Sequence, residues 1–241
     1  MPLDEENLAP AELSTPRLPI RPPVAWMTWV LVLSTVVVFL FQLHSQQVHG
    51  EDRVGDALSF SPAAWAQGHY WTLLTYAWAH AVVFFGEPDL FWLHIVANMI
   101  PLICLGPALE DFLGHARYLG LYLGGAIVSA LVWFYFNPGL EQPGIIGASG
   151  AVFAVIAGVG AAVPRERVIL YLFFVLPIRM SLGFLALAVC GAELAQVVFG
   201  WMPGVAHSAH LGGAAFGLLY VLTVRWWTRK GADGPRSSFV P

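Results

Sequence analysis

The sequence predicts an all-α membrane protein, a bundle of six transmembrane helices with an interfacial external first loop. Three observations point there. Of 241 residues, 58% are hydrophobic and 11% charged, against about 25% charged in a soluble globular domain. Mean hydropathy is +0.69. The apolar residues fall in runs near the roughly 20 residues a helix needs to cross hydrocarbon. Finally, ten of the eleven Lys and Arg residues lie on one side of the topology these runs imply, with Arg53 alone on the other.

Residues 1–22 are acidic and Pro-rich (LDEENLAPAELSTP). A cleavable signal peptide begins basic, so this stretch reads as a disordered cytoplasmic tail. A six-span domain follows over 23–228, and 229–241 reads as a second cytoplasmic tail. The spans are 24–43, 93–113, 118–136, 145–163, 180–199 and 205–227. The long connection 46–91 carries Trp65, Tyr70, Trp71, Trp78, Phe84 and Phe85, a composition suited to the membrane interface. The apolar run 168–177 is short and ends at Pro177, so it reads as an interfacial or extended part of the connection between the fourth and fifth spans. The basic side is cytoplasmic by the positive-inside rule. The expected location is therefore a bacterial inner (plasma) membrane, multi-pass, with both termini in the cytoplasm.

Composition also excludes some classes. A net charge of −4 and a pI near 6.0 leave no footprint for nucleic acid. Cys104 and Cys190 both sit in apolar segments, with no disulfide framework or zinc-ribbon spacing. No internal repeat of the transporter kind appears.

The chemistry lies inside the spans. The second, fourth and sixth enter from the external side. Counted from that end, Asn98, Ser149 and His210 come four or five residues in, roughly 6–8 Å deep, and His94 lies one turn above Asn98 on the same helix face. A lone serine in an apolar helix ordinarily bonds a backbone carbonyl, and a lone His or Asn is often interhelical glue. Four such groups in one layer, each costly to hold in lipid, point to function. A serine hydroxyl becomes a nucleophile when a base takes its proton, and histidine titrates in the working range. An oxyanion then needs donors. His94, Asn98 and the Ser149 backbone N–H supply candidates, and Gly147 and Gly150 leave that N–H approachable. Small residues repeat every four positions in the fourth span (Gly150, Ala154, Gly158, Ala162) and in the sixth (Ala209, Gly213, Gly217). Such ridges let helices approach closely. No metal is expected. His94, His207 and His210 could cluster, but zinc sites favour a carboxylate or thiol as well, and no HExxH occurs.

These residues resemble a known family. GASGA around Ser149, HIVAN from His94 to Asn98, and AHSAHLGG ending at Gly213 are similar to the rhomboid intramembrane serine proteases, in the right order and topology. The resemblance implies a Ser149–His210 dyad with no third acid, which argues against Glu193, about six residues from the external end of the fifth span, as an orienter of a histidine, and it implies an oxyanion hole from His94, Asn98 and the Ser149 backbone. It implies that Phe153 is the aromatic on which the catalytic imidazole packs, that no cofactor is used, and that Glu110 is structural. GHYWTLLTYAWAH (68–80) resembles the family's external segment, although the common Trp-Arg pair reads Trp71–Thr72 here. The stretch FGEPDLFW before His94 is longer than the family's usual one. The implied substrates are single-span transmembrane proteins within the bilayer. The competing expectation is a catalytically inactive relative that binds or escorts membrane proteins.

Overall fold

The computed structural model describes residues 25–83, 90–172, 176–200, 202 and 204–232. The expected first tail, Phe84, Phe85 and most of the FGEPDLFW stretch lie outside these residues. The elements are α1 (Trp26–His49), the short loop helices α2 (Arg53–Leu58), α3 (Pro62–Ala66) and α4 (Thr72–Thr75), then α5 (Leu93–Leu113), α6 (His115–Phe136), α7 (Ser149–Ala162), the hairpin β1 (Arg167–Leu172) and β2 (Leu176–Ser181), α8 (Leu182–Phe199) and α9 (His207–Ala232). Four helices, α1, α5, α6 and α8, are long and apolar enough to cross a membrane. α7 is apolar but shorter, and α9 opens on the polar HSAH and ends among charges.

Several boundaries differ from the sequence reading: α1, for instance, runs to His49 rather than 43. α7 starts at Ser149 rather than 145, because Gly147 turns the chain at φ +120° before the helix begins. The serine is thus the first residue of its helix, not one turn inside it. The run 168–177 is extended, as one of its two readings has it. It pairs as an antiparallel hairpin from Arg167 opposite Ser181 to Leu172 opposite Leu176. α9 continues through Ala232, past the 228 boundary drawn from composition.

α7 is the central post. Eleven of its fourteen residues are buried, and α5, α6, α8 and α9 pack around it. At 1.5 Å per residue it spans about 21 Å, short of the roughly 30 Å hydrocarbon thickness. The closest packing is with α9. A Cβ added at Gly213 would land on the Gly150 carbonyl oxygen, and one at Gly217 on the Ala154 carbonyl. The two small-residue ridges thus meet backbone to backbone, as their spacing predicts. Ser129 of α6 ties in by donating to the Ala209 carbonyl at 2.6 Å.

α1 stands outside this core against α5, and its start has no side-chain cap of its own. Glu110, at the far end of α5, supplies one. Its carboxylate accepts from the Met27 and Thr28 backbone N–H groups (3.0 and 2.8 Å) and the Thr28 hydroxyl (2.7 Å), and it also meets His115 Nδ1 at 2.5 Å. The orphan donors of a helix N-terminus are satisfied from another helix, by a residue only 1% exposed.

The first loop is fastened at its other end by Gln42. This α1 side chain pairs with the His80 backbone through both amide atoms, Nε2 to the carbonyl and Oε1 from the N–H, each at 2.9 Å, and also reaches Asp52 at 2.6 Å. Gln42 and His80 are fully buried. The place of the family's loop arginine is taken by Thr72, which folds back onto the His69 carbonyl at 2.6 Å. The anchoring is done elsewhere.

Two outcomes are expected. Glu110→Ala strands several buried donors at about 1–3 kcal/mol each, so thermal unfolding in detergent should show a loss on the order of 3 kcal/mol, with Glu110→Gln intermediate. His80 is held neutral: burial, helped by the neighbouring His94, pushes its pKa from 6.5 to about 3. The unfolded chain therefore takes up a proton that the fold rejects. This contribution to stability is whole above about pH 6.5 and is lost as pH falls from there toward 3. The melting temperature of the wild type should drop on acidification relative to that of His80→Gln.

Candidate active site

The turn before α7 is assembled by the first loop. Phe60 and Ile145 exchange backbone hydrogen bonds at 3.1 and 2.8 Å, and fully buried Phe60 is ringed by Trp65, Tyr76, Trp133 and Phe134. The Gly147 N–H donates to the Tyr76 carbonyl at 3.0 Å. The Ala148 N–H donates to His80 Nε2 at 3.3 Å, which the neutral ring accepts. At Gly147 a side chain is excluded twice. Its φ of +120° lies in the glycine region, and a Cβ would lie 2.8 Å from His94 Nε2.

Ser149 follows. Its Oγ lies 2.8 Å from His210 Nε2, although 61 residues separate them. The ring of His210 stacks on Phe153, with centroids 4.5 Å apart and planes 7° from parallel. His210 Nδ1 donates to Glu193 Oε2 at 2.9 Å. The proton therefore sits on Nδ1, and Nε2 is left to accept from the serine hydroxyl.

Across the site, His94 Nδ1 accepts the Ala81 N–H at 3.0 Å, which puts the ring proton on Nε2, the nitrogen facing Gly147. The Asn98 amide donates to the His94 carbonyl at 2.8 Å. His94, Asn98, Ser149, Phe153 and His210 line one cavity of about 940 Å³. Every candidate side chain expected from the sequence is thus gathered in one place. Gly150 serves the packing expected of its ridge: a Cβ there would run into the Ser129 side chain, so this glycine admits α6.

The resemblance implies a site without a third acid; in the structure Glu193 of α8 touches His210, and the same Oε2 also meets His207 Nδ1 at 2.6 Å. Glu193, His207 and His210 form the only group among the described residues with metal-ligand spacing, their donor atoms within 4.8 Å of one another. The hydrogen bonds account for that arrangement, and His94, expected in any such cluster, stands apart from it. Sequence reasoning passed over Gln42 and His80. Gln42 left a signal, a polar side chain within an apolar span.

A family model described as the Rhomboid domain matches residues 67–227. Presenilin-associated rhomboid-like protein A, mitochondrial, of Danio rerio is 34% identical over 130 residues, 54% of this chain and 33% of that protein. Rhomboid protein 1, mitochondrial, of Saccharomyces cerevisiae is 31% identical over 150 residues, 61% of this chain and 40% of its own length. RHOMBOID-like protein 4 of Arabidopsis thaliana is 29% identical over 182 residues, 69% and 38% respectively. The chain thus spans about a third to two fifths of the length of these relatives. With the domain match running through the first loop, the serine turn and the paired histidines, this multi-pass membrane chain belongs to the rhomboid family.

Proposed function

We propose that the protein is an intramembrane serine endopeptidase, cleaving single-span transmembrane proteins near the external face of the bilayer. The observation that carries this is the 2.8 Å contact between Ser149 Oγ and His210 Nε2 at the wall of a cavity that His94 and Asn98 also line. That distance lies within the range for a nucleophile and its base.

The steps follow from the tautomers. Ser149 Oγ attacks the scissile carbonyl carbon while its proton passes to His210 Nε2. The carbonyl oxygen takes the negative charge and is met by His94 Nε2–H, the Asn98 amide and the Ser149 backbone N–H. His210 returns the proton to the leaving amine, and an ester to Ser149 remains. Water then attacks the ester carbonyl as its proton passes to the same nitrogen, and His210 returns that proton to Ser149 Oγ as the acyl half leaves as a carboxylic acid. The short α7 supports access for that water, because a helix of about 21 Å leaves its serine end sunk beneath the membrane surface. The substrate's span must unwind locally, since helical hydrogen bonds occupy its carbonyls.

Ten basic residues against one support a topology with both termini on the basic side. In a bacterial plasma membrane that side is the cytoplasm. Two of the relatives above carry the word mitochondrial in their names, and the same topology serves an inner mitochondrial membrane.

A fluorophosphonate probe, which reacts with activated serines, should label the wild type and neither Ser149→Ala nor His210→Ala. A wild type that stays unlabelled, yet co-purifies with intact membrane proteins, would instead mark an inactive escort. Asn98→Ala removes one oxyanion donor and should lower kcat toward a transmembrane substrate by roughly 10²–10³, with KM little changed, as measured in proteoliposomes.

A further inference from the structure

We propose that Glu193 is a positioning residue for His210, so that the site works as a serine–histidine–glutamate relay with His207 holding the acid from behind. The proposal rests on the serine-protease reading above and goes beyond the dyad which that reading requires.

Three observations support it. The first is the shared oxygen. Glu193 Oε2 accepts from His210 Nδ1 at 2.9 Å and from His207 Nδ1 at 2.6 Å, on the side of His210 away from Ser149. A neutral imidazole serves as base at Nε2 only when its proton is on Nδ1, and an acid at Nδ1 fixes that tautomer and steadies the imidazolium formed on proton transfer. Stacking on Phe153 sets the plane of the ring but leaves rotation within the plane open. The Glu193 contact closes it.

The second observation is how the acid is held. His207 Nε2 also meets the Met202 carbonyl at 3.1 Å, so both ring nitrogens of His207 face acceptors. That ring is pinned between α8 and the chain entering α9, and it aims Glu193 Oε2 at His210. The side chains of Glu193, His207 and His210 are only 16%, 11% and 10% exposed, which limits competition from water.

The third is the helix that carries the acid. The only buried residues of α8 are Leu182 and Ala186, both near its start beside the hairpin. In the half bearing Glu193 no residue is fully buried, and Glu193 supplies that half's polar contacts to α9. Glu193 reaches His210 only when that half of α8 is docked, and the relay registers the position of the helix.

The test measures fluorophosphonate labelling in detergent, separating the maximal inactivation rate from the concentration giving half of it. Glu193→Gln should lower the maximal rate by roughly 10-fold or more, because the acid that fixes the tautomer of a catalytic histidine is lost. The half-saturating concentration should stay within about twofold, and Glu193→Asp should recover part of the rate. His207→Gln should cause a smaller loss, and the double variant Glu193→Gln/His207→Gln no more than Glu193→Gln alone, because the two act in series. Thermal melts identify any variant that fails to fold, and Glu193→Ala gives a second reading of the same contact. A maximal rate unchanged in both Glu193→Gln and Glu193→Ala, a loss confined to half-saturation, or additive effects in the double variant would overturn the relay. An unlabelled wild type would instead overturn the protease reading itself.

Discussion

Gly213 of α9 meets the carbonyl of Gly150 with no side chain between them, and one turn on, Gly217 repeats the contact at Ala154. The rest of the molecule depends on that approach. Helices carrying ordinary side chains pack with axes 8–10 Å apart. Backbone contact brings α7 and α9 close enough for a serine on one to reach a histidine on the other. In lipid there is little hydrophobic gain from pairing helices, so close van der Waals fit between small residues has to supply the attraction. The packing device and the geometry of the site are the same set of atoms.

The outer parts hold this pair in register. Gln42 fixes the backbone at His80, the His80 ring holds Ala148, and Ala81 sets the tautomer of His94. A contact made by the first helix is therefore passed through the loop to both sides of the cavity. At the opposite end, Glu110 stitches α1 to α5. α8 differs, packing on the core through Leu182, Leu185, Ala186 and Val189 of its first half and reaching α9 through the polar contacts of Glu193. The bundle combines a rigid core of α5, α6, α7 and α9 with one lightly held wall.

Much of the site was legible beforehand. Alternating span direction put Asn98, Ser149 and His210 in one layer, and small-residue spacing paired the right helices. Hydropathy could not place the start of α7, because Ile145 and Ile146 are as apolar as the helix that follows, and only the positive φ of Gly147 excludes them. The hairpin was hard to identify from so short an apolar run. The Glu193 contact depends on the rotation of α8 about its own axis. Sequence gives its depth but not its facing, and the family resemblance argued against a third acid. His80 escaped because its part is played through a backbone and a ring nitrogen inside a loop, where no periodicity applies.

Because Ser149 is the first residue of α7, the cavity lies at the positive end of a helix macrodipole, equivalent to about half an elementary charge. At an exposed helix end, salt and water screen most of that field. Here eleven of the fourteen residues of the helix are buried, so screening of that field comes chiefly from the cavity itself. A negative charge forming beside the Ser149 N–H would be met by the aligned peptides of the whole helix as well as by the donors named above, an arrangement that a serine one turn further along would lose.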